Sequence, residues 1–533
     1  MAVYYVFSMG SGAEDEWVAC RITVKGRHKA QPPIPFDSGI FQLTKPDGRP
    51  SLQHIHIFRP VDGKIKEHWA NVMVSALRDS STWNCCLGIQ KRISASQEFQ
   101  TAFSEVPAIA CLSAPPGESL MRRPIDSLIS SGRVSQFMQR IEADLLIIGD
   151  SDIIRSGCVI IDGGTISFAG PLEDAPISSG SAISVPVAMP GLWDSHAHFM
   201  GIRTADYDEG RKTSPIVLAA RCTKDSERAL AAGFTSVREA GGYGLHMAEV
   251  VDEGSVAGPH IYAAGSILGW DGPTDISECP DGVQEIVKAV RTQLRRGAKL
   301  IKVIATGAAL SESGVPGEQQ FSEYELKVMV DEAARAGRIV AAHCHGKSGI
   351  VASLKAGCRT IEHGSYLDEE AADLMLEKDA ILVPTRFIVE RLTKLARHSG
   401  LPDNQLEKTV ALADSHRRAM QLAVRKGVKI ALGSDIFTSG EGSPVPWGMN
   451  ATELGYLVEA GMTPLQSIQA ATSMGPLTLG PRAPKAGLLK AGYDADVIAL
   501  EASPLQDVSV LADPKNVTYV WKAGKLTKQP SIG

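Results

Sequence analysis

The chain has 533 residues, of which 44% are hydrophobic and 21% charged, with a formal net charge of −6. So long a chain exceeds one compact core, and two or three structural units are expected; the acidic balance argues against nucleic acid or an anionic membrane as the main partner. The nine scattered cysteines form no CxxC pair, "MAVYYVFSMGSG" lacks the basic region of a secretory signal, and no apolar run reaches bilayer length, so a reduced, cytoplasmic protein is expected.

The first segments that read as strands are "WVACRITVKGRHKA", "GIFQLTK" and "LQHIHIFRPVDGKIKEHWANV", all within residues 1–75. Residues 76–142 show no clean period and read as linker or irregular chain. Residues 143–188, with "ADLLIIG", "CVIIDGGTISFAG" and "AISVPVAMP", read as short strands joined by Gly and Pro turns. Residues 486–533, with "DADVIALEA" and "VTYVWKAGKL", read the same way, so the two flanks are expected to pair into one small β-sandwich.

Between them, residues 189–485 alternate amphipathic helices with short apolar strands. "KDSERALAAG" precedes "FTSVREA", and "DGVQEIVKAVRTQLRRGA" precedes "KLIKVIATG". "SEYELKVMVDEAARAG", opened by the capping-box spacing of Ser322 and Glu325, precedes "RIVAAHCHG". "KSGIVASLKAG" leads to "CRTIEHG", "DEEAADLMLEKD" to "AILVPTRF", and "QLEKTVALADSHRRAMQLAVRKG" to "VKIALGSD". With the strand before His196 and "HIYAAGSIL", the pattern gives about eight strand–helix units, the number in a closed parallel barrel. An open doubly wound sheet is the alternative, but no GxGxxG opens a helix. The expected fold is α/β: a (β/α)8 TIM-like barrel, a β-sandwich from both flanks, and an N-terminal α+β fragment.

The strand ends carry the chemistry. "MPGLWDSHAHFMG" places His196 and His198 two residues apart, on one side of a strand. Alone, that spacing is weak, because one core histidine and one exposed histidine would look the same. Lys302 interrupts "KLIKVIATG", His343 and His345 end "RIVAAHCHG", His363 ends "CRTIEHG", and Asp435 ends "VKIALGSD". In a parallel barrel these positions converge on the face where such folds keep their active sites. Neutral imidazoles and a carboxylate suit a borderline divalent cation such as Zn²⁺, with Mn²⁺ or Co²⁺ fitting the same donors. Lys302 is the odd member. A buried lysine loses its proton readily and then adds CO2 to become a carbamate, a carboxylate that bridges two cations; the alternative is a core lysine reaching for an acid.

The set His-x-His, strand-borne Lys, His, His, Asp resembles the binuclear, carboxylated-lysine form of the amidohydrolase superfamily. "MPGLWDSHAHF", "AAHCHGKSGIVASLKAGCRTIEH", "VKIALGSD", "AGYDADVIALEASPLQD" and the tail "DPKNVTYVWKAGKL" are similar to its imidazolonepropionase-like branch, nearest the ochratoxinase-type amidases and Xaa-Pro-type dipeptidases. The resemblance implies two divalent metal ions. His196, His198 and Asp435 would hold one, His343 and His363 the other, and Lys302, N6-carboxylated, would bridge them. It also implies attack by a bridging hydroxide on an amide carbonyl, with Asp435 passing the proton to the leaving amine. His345, one strand step beyond His343, is read as a carbonyl or oxyanion stabiliser facing the substrate.

Arg386, just after "LVPT", is read as a clamp for a substrate carboxylate, against the alternative of a surface ion pair. "GSILGWDGPTDISECPDG" replaces the Gly-Gly-His-Gly-Asp loop of that branch, and "IATGAAL" stands where relatives tend to have Ser-Gly-Gly, so a different pocket lid is expected. "HIHIFRPVDGKIKEHW" resembles the closing strands of a SnoaL-like cone fold, here partial.

The function expected is hydrolysis of an amide bond in a small molecule or dipeptide-like substrate, by a homo-oligomer. Metal-dependent lactone or ester hydrolysis, or decarboxylation, is the alternative enzyme reading. A non-catalytic scaffold is the alternative outside enzymes, although scaffolds of this kind typically lose ligands.

Overall fold

The computed structural model describes residues 138–530 except 178–181, 270–276 and 313, together with the backbone of four short strands nearer the N-terminus. The chain divides into two units, Met1–Pro124 and Ile125–Gly533. In the first, β1 (His54–Ile55) pairs antiparallel with β4 (Val72–Met73), and β2 (Arg59–Val61) with β3 (Lys64–Lys66). The remainder of the expected SnoaL-like fragment, including the strands read in "WVACRITVKGRHKA" and "GIFQLTK", lies outside the described residues, as does most of the expected linker.

The second unit opens with β5 (Gln139–Ile147), β6 (Ile153–Asp162), β7 (Thr165–Pro171) and β8 (Ala182–Pro190). β5 therefore begins inside the span read as irregular: Gln139–Glu142 pair with Cys158–Ile161, and the alternation that marks a half-buried strand starts only at Ile141. At the other end come β20 (Val497–Leu500), β21 (Val517–Lys522) and β22 (Lys525–Lys528). The seven strands form one sheet in the order β22-β21-β20-β8-β5-β6-β7, joining both flanks of the chain as expected. The β7 edge reaches back to the segment before β20 through Ile166 N–H to Tyr493 O (2.9 Å) and Ala495 N–H to Gly164 O (2.9 Å). The folded-over sheet encloses its own apolar core of Ile141, Leu146, Val159, Ile161, Val497 and Trp521.

The chain between these flanks is a parallel barrel. Its strands are β9 (Leu192–Ile202), β10 (Phe234–Glu239), β11 (His260–Ala263), β14 (Ile301–Ile304), β15 (Val340–Cys344), β16 (Thr360–His363), β17 (Ile381–Val383) and β18 (Lys429–Ile430). The short β12 (Ile267–Leu268) and β13 (Ser277–Glu278) extend the third strand in the replaced loop, and β19 (Ile436–Thr438) runs beside the end of β9. Ladder pairing gives two arcs, β11-β10-β9-β19 and β13-β12-β14-β15-β16-β17-β18. Backbone hydrogen bonds join them at both seams: Lys299 N–H to Ala263 O (2.8 Å) and Ser195 N–H to Leu432 O (2.7 Å).

Helices follow each strand, and the apolar periodicity that predicted them is what they bury. In Glu323–Arg335, for example, Leu326, Met329 and Ala333 face inward, and the capping box forms with Glu325 N–H donating to Ser322 Oγ at 3.2 Å. The helices Lys347–Ala356 and Asp403–Lys426 end on left-handed Gly357 and Gly427, as their sequences predict. Among the described residues, no helix is long and apolar enough to cross a membrane.

Candidate active site

Strand alternation builds the floor of the site. β9 is buried on both faces: Trp193 stacks on Tyr262 with ring centroids 5.1 Å apart, while Asp194, His196 and His198 share the other side. Lys302 on β14, His343 and His345 at the end of β15, His363 on β16 and Asp435 after β18 line one cavity with His196 and His198. The imidazoles of His343 and His363 lie 4.5 Å apart by ring centroid, and those of His196 and His363 4.9 Å apart. The side-chain donors of His196, His363 and Asp435 lie within 4.8 Å of one another.

Regular alternation would turn His363 away from Glu362's side. It does not, because His363 has φ +67°, outside the strand region. Glu362 and His363 therefore both face the cluster. Asp435 (φ +57°) and Thr385 (φ +55°) also adopt left-handed backbone beside the site, a conformation that costs about 1–3 kcal/mol per residue and persists where the surroundings demand it. Space is tight here. A Cβ on Gly433 would sit 2.4 Å from Val383 Cγ1 and 2.7 Å from His196 Cβ, so only glycine lets the Asp435 loop pass.

Four of the five imidazoles are fixed through their inner nitrogen. His198 Nδ1–H donates to Gly241 O at 2.6 Å, and His196 Nδ1–H to Glu362 Oε2 at 2.7 Å. The outer Nε2 atoms then face Asp435 Oδ1, at 3.1 Å for His198 and 3.6 Å for His196. His363 Nδ1 lies 2.7 Å from Thr385 Oγ1, and His345 Nδ1 2.7 Å from Ser365 Oγ. Such outer partners set the tautomer that leaves a lone pair free for a cation.

Burial decides the direction for four of the imidazoles, whereas His198 is raised against its burial by the hydrogen bond and charge of Asp435. Burial holds His196 and His345 down to about 4, and His343 and His363 well below the ordinary imidazole value, so these rings are neutral donors at pH 7. Burial likewise lowers Lys302 to about 8. Among the described residues, Lys302 Nζ and His343 Nε2 are buried with no hydrogen-bond partner. Orphaned polar atoms are rare in folded interiors, and here they flank further imidazoles and a carboxylate, so the cluster fits divalent cations.

Several contributors escaped the sequence reading. Glu362 accepts two hydrogen bonds from Arg238 Nη2, at 2.7 and 2.8 Å, as well as the one from His196. Asp194 accepts from the backbone N–H of His196 (3.0 Å) and of Ser434 (3.1 Å) and from Asn450 Nδ2 (2.7 Å), tying β9 to the Asp435 loop. The available signal was charge in segments placed as barrel strands: Arg238 in "FTSVREA" and Glu362 in "RTIEH".

Arg386 does not join the cluster. Its guanidinium donates to Ala413 O at 2.6 Å, pairs with Glu390 and approaches His416 Nδ1 at 3.3 Å, and its side chain borders a separate cavity with Tyr456. The expected carboxylate clamp is therefore corrected: the start of the helix Arg386–Leu395 directs the side chain towards the helix Asp403–Lys426, away from the histidines. Burial, then the adjacent Arg386, pushes His416 down to about 3. Because the unfolded imidazole titrates near 6.5, the unfolded state binds the extra proton between those values, and stability falls as pH drops below 6.5. At pH 5 this one residue costs about 2 kcal/mol. The urea-derived stability of His416→Gln is expected to fall by that much less than wild type between pH 7 and pH 5; parallel profiles would contradict it.

A parallel barrel flanked by this sandwich, with such a cluster on its C-terminal strand ends, defines a class: barrel enzymes that keep their chemistry at that face. Within that class the chain belongs to the Amidohydrolase family, whose sequence model matches residues 187–527. It is 42% identical over 480 residues to an ochratoxinase of Aspergillus niger, spanning 84% of this chain and 98% of that one. The crystal structure of A. niger ochratoxinase aligns with a TM-score of 0.68 at 43% identity, covering 74% of this chain and 96% of that chain. A Xaa-Pro dipeptidase crystallised with methionine in its active site aligns with a TM-score of 0.65 at 31% identity, covering 73% and 100% of the two chains.

Proposed function

We propose that the chain hydrolyses the amide C–N bond of a small molecule with two divalent cations, Zn²⁺ by donor type. His196, His198 and Asp435 would hold one, His343 and His363 the other, and Lys302 would join both as its N6-carbamate. The observation that carries this reading is the convergence of five imidazoles, Asp435 and the unpartnered Lys302 Nζ on one buried floor. Burial keeps Lys302 near a pKa of 8, which leaves a neutral amine accessible for addition to CO2, with loss of one proton to solvent.

When bound, the cations supply an acidified water and polarise the scissile carbonyl. The chain supplies proton transfer and orientation. Asp435, beside His198 Nε2 at 3.1 Å, takes the water's proton and delivers it to the leaving nitrogen. His345 lines the cavity; with its Nδ1 accepting from the Ser365 hydroxyl, its Nε2–H would steady the carbonyl oxygen. The five free thiols among the described residues, Cys158, Cys222, Cys344 and Cys358 buried and Cys279 exposed, support a reducing cytoplasmic setting, and an exposed sandwich beside the barrel supports a homo-oligomer.

The test is a panel of small amides incubated with the purified enzyme before chelation, after it, and after Zn²⁺ is restored. Amide cleavage that disappears on chelation and returns with metal is expected. Cleavage that survives complete metal removal contradicts the reading.

A further inference from the structure

One short stretch of chain outside the cavity lining reaches both halves of the centre. The 3₁₀ turn Asn450–Thr452 runs directly into the helix Glu453–Glu459, which Leu454 and Leu457 anchor in the core. Asn450 and Glu453 are both fully buried, and neither lines the cavity.

Glu453 serves a helix that cannot cap itself. The helix Arg386–Leu395 carries Ile388, Val389 and Leu392 into the cavity wall. A threonine before a helix ordinarily sits in extended backbone and accepts from an N–H of the first turn. Thr385 instead has φ +55°, makes no side-chain cap, and holds its Oγ1 2.7 Å from His363 Nδ1. The first N–H groups of the helix would be stranded in the interior, where an unmade hydrogen bond is costly. Glu453 takes them: Arg386 N–H donates to Oε1 at 2.9 Å and Phe387 N–H to Oε2 at 2.5 Å. Capping from elsewhere in the chain leaves the threonine hydroxyl to the imidazole.

Asn450 reaches the other half. Its Oδ1 accepts from Gly448 N–H at 3.1 Å, which orients the amide so that Nδ2 donates to Asp194 Oδ2 at 2.7 Å. Asp194 in turn accepts from the backbone N–H of His196 at 3.0 Å and of Ser434, the residue before Asp435, at 3.1 Å.

We propose that Asn450–Glu453 is a two-armed brace for the cation centre: Glu453 positions His363 through Thr385, and Asn450 positions His196 and Asp435 through Asp194. Both are positioning residues, and each arm serves a different ion. The proposal rests on the two-cation reading and deepens it.

The test follows stepwise release of Zn²⁺ from the metal-loaded full-length protein by competition with a chromogenic chelator. Glu453→Ala is expected to loosen one ion at least about tenfold and to leave the other within about threefold of wild type. Thr385→Val, which deletes the hydroxyl and keeps the shape, should loosen the same ion, and adding Glu453→Ala to it should change little more. Asn450→Ala should also loosen one ion, and the double variant Asn450→Ala/Glu453→Ala should hold neither tightly. A double variant that keeps one ion at wild-type affinity overturns the proposal. A residue needed only for folding would loosen both ions together or neither, so either pattern in folded Glu453→Ala overturns it as well. Glu453→Gln and Asn450→Ser, which keep part of each polar group, give the same readings should the alanine variants misfold. Two ions in wild type with unchanged release in the variants overturns the brace alone; fewer than two in wild type overturns the cation reading and the brace with it. No substrate enters the measurement, so a failure to cleave amides leaves it readable.

Discussion

Asp435→Asn is expected to lower kcat by about a thousandfold or more, since a positioned proton-transfer group contributes roughly 10²–10⁴-fold and this one would also serve as a ligand. Asparagine is the informative choice. Asp435 holds φ +57°, and Asn tolerates left-handed backbone better than most residues, so the loop from Gly433 keeps its path and Asp435 N–H keeps its bond to His196 O at 2.7 Å. What disappears is the charge facing His198 Nε2 at 3.1 Å. The thermal midpoint should therefore stay close to wild type while turnover collapses. A fall of less than tenfold in kcat, in metal-replete protein, would remove Asp435 from the chemistry.

The second large effect falls on a residue that touches no substrate. Glu362 is fully buried, and its carboxylate joins Arg238 on β10 to His196 on β9. Glu362→Ala strands the Arg238 guanidinium in the barrel interior; losing one member of a buried ion pair costs about 3–5 kcal/mol. Glu362→Gln keeps the volume and one acceptor, so its stability loss should be smaller. It nevertheless replaces the carboxylate that holds His196 with its lone pair outward by a neutral amide, a weaker acceptor shared with Arg238, and metal affinity is expected to fall about 10–100-fold. Denaturant midpoints and metal titrations of the two variants separate these roles. Unchanged affinity in Glu362→Gln, with the protein folded, would show that His196 needs no such partner.

Much of this centre was legible in the sequence because a parallel barrel converts strand order into proximity. Once "MPGLWDSHAHFMG", "KLIKVIATG", "RIVAAHCHG", "CRTIEHG" and "VKIALGSD" are strands of one ring, their C-terminal residues have one place to meet. The structure puts His196, His198, Lys302, His343, His345, His363 and Asp435 on that floor. Glu362 was not legible, because period-two alternation assigns it and His363 to opposite faces, and only the backbone twist at His363 brings both inward. Arg386 went the other way. Its position after β17 indicated the catalytic end, but side-chain direction depends on the helix that begins there and on the partners offered by Glu390, Ala413 and His416. The start of β5 was missed for a simpler reason: Gln139, Arg140 and Glu142 are polar, and their strand is specified by pairing with β6 rather than by their own composition.

The central claim is a two-cation centre completed by a carboxylated lysine. Its most direct measurement is metal content per chain, by elemental analysis, of wild type beside Lys302→Ala, both prepared without chelator and with CO2 present. The account predicts about two divalent ions in wild type and one or none in the variant. A folded wild type that carries no metal, or a Lys302→Ala that keeps both ions, would contradict it.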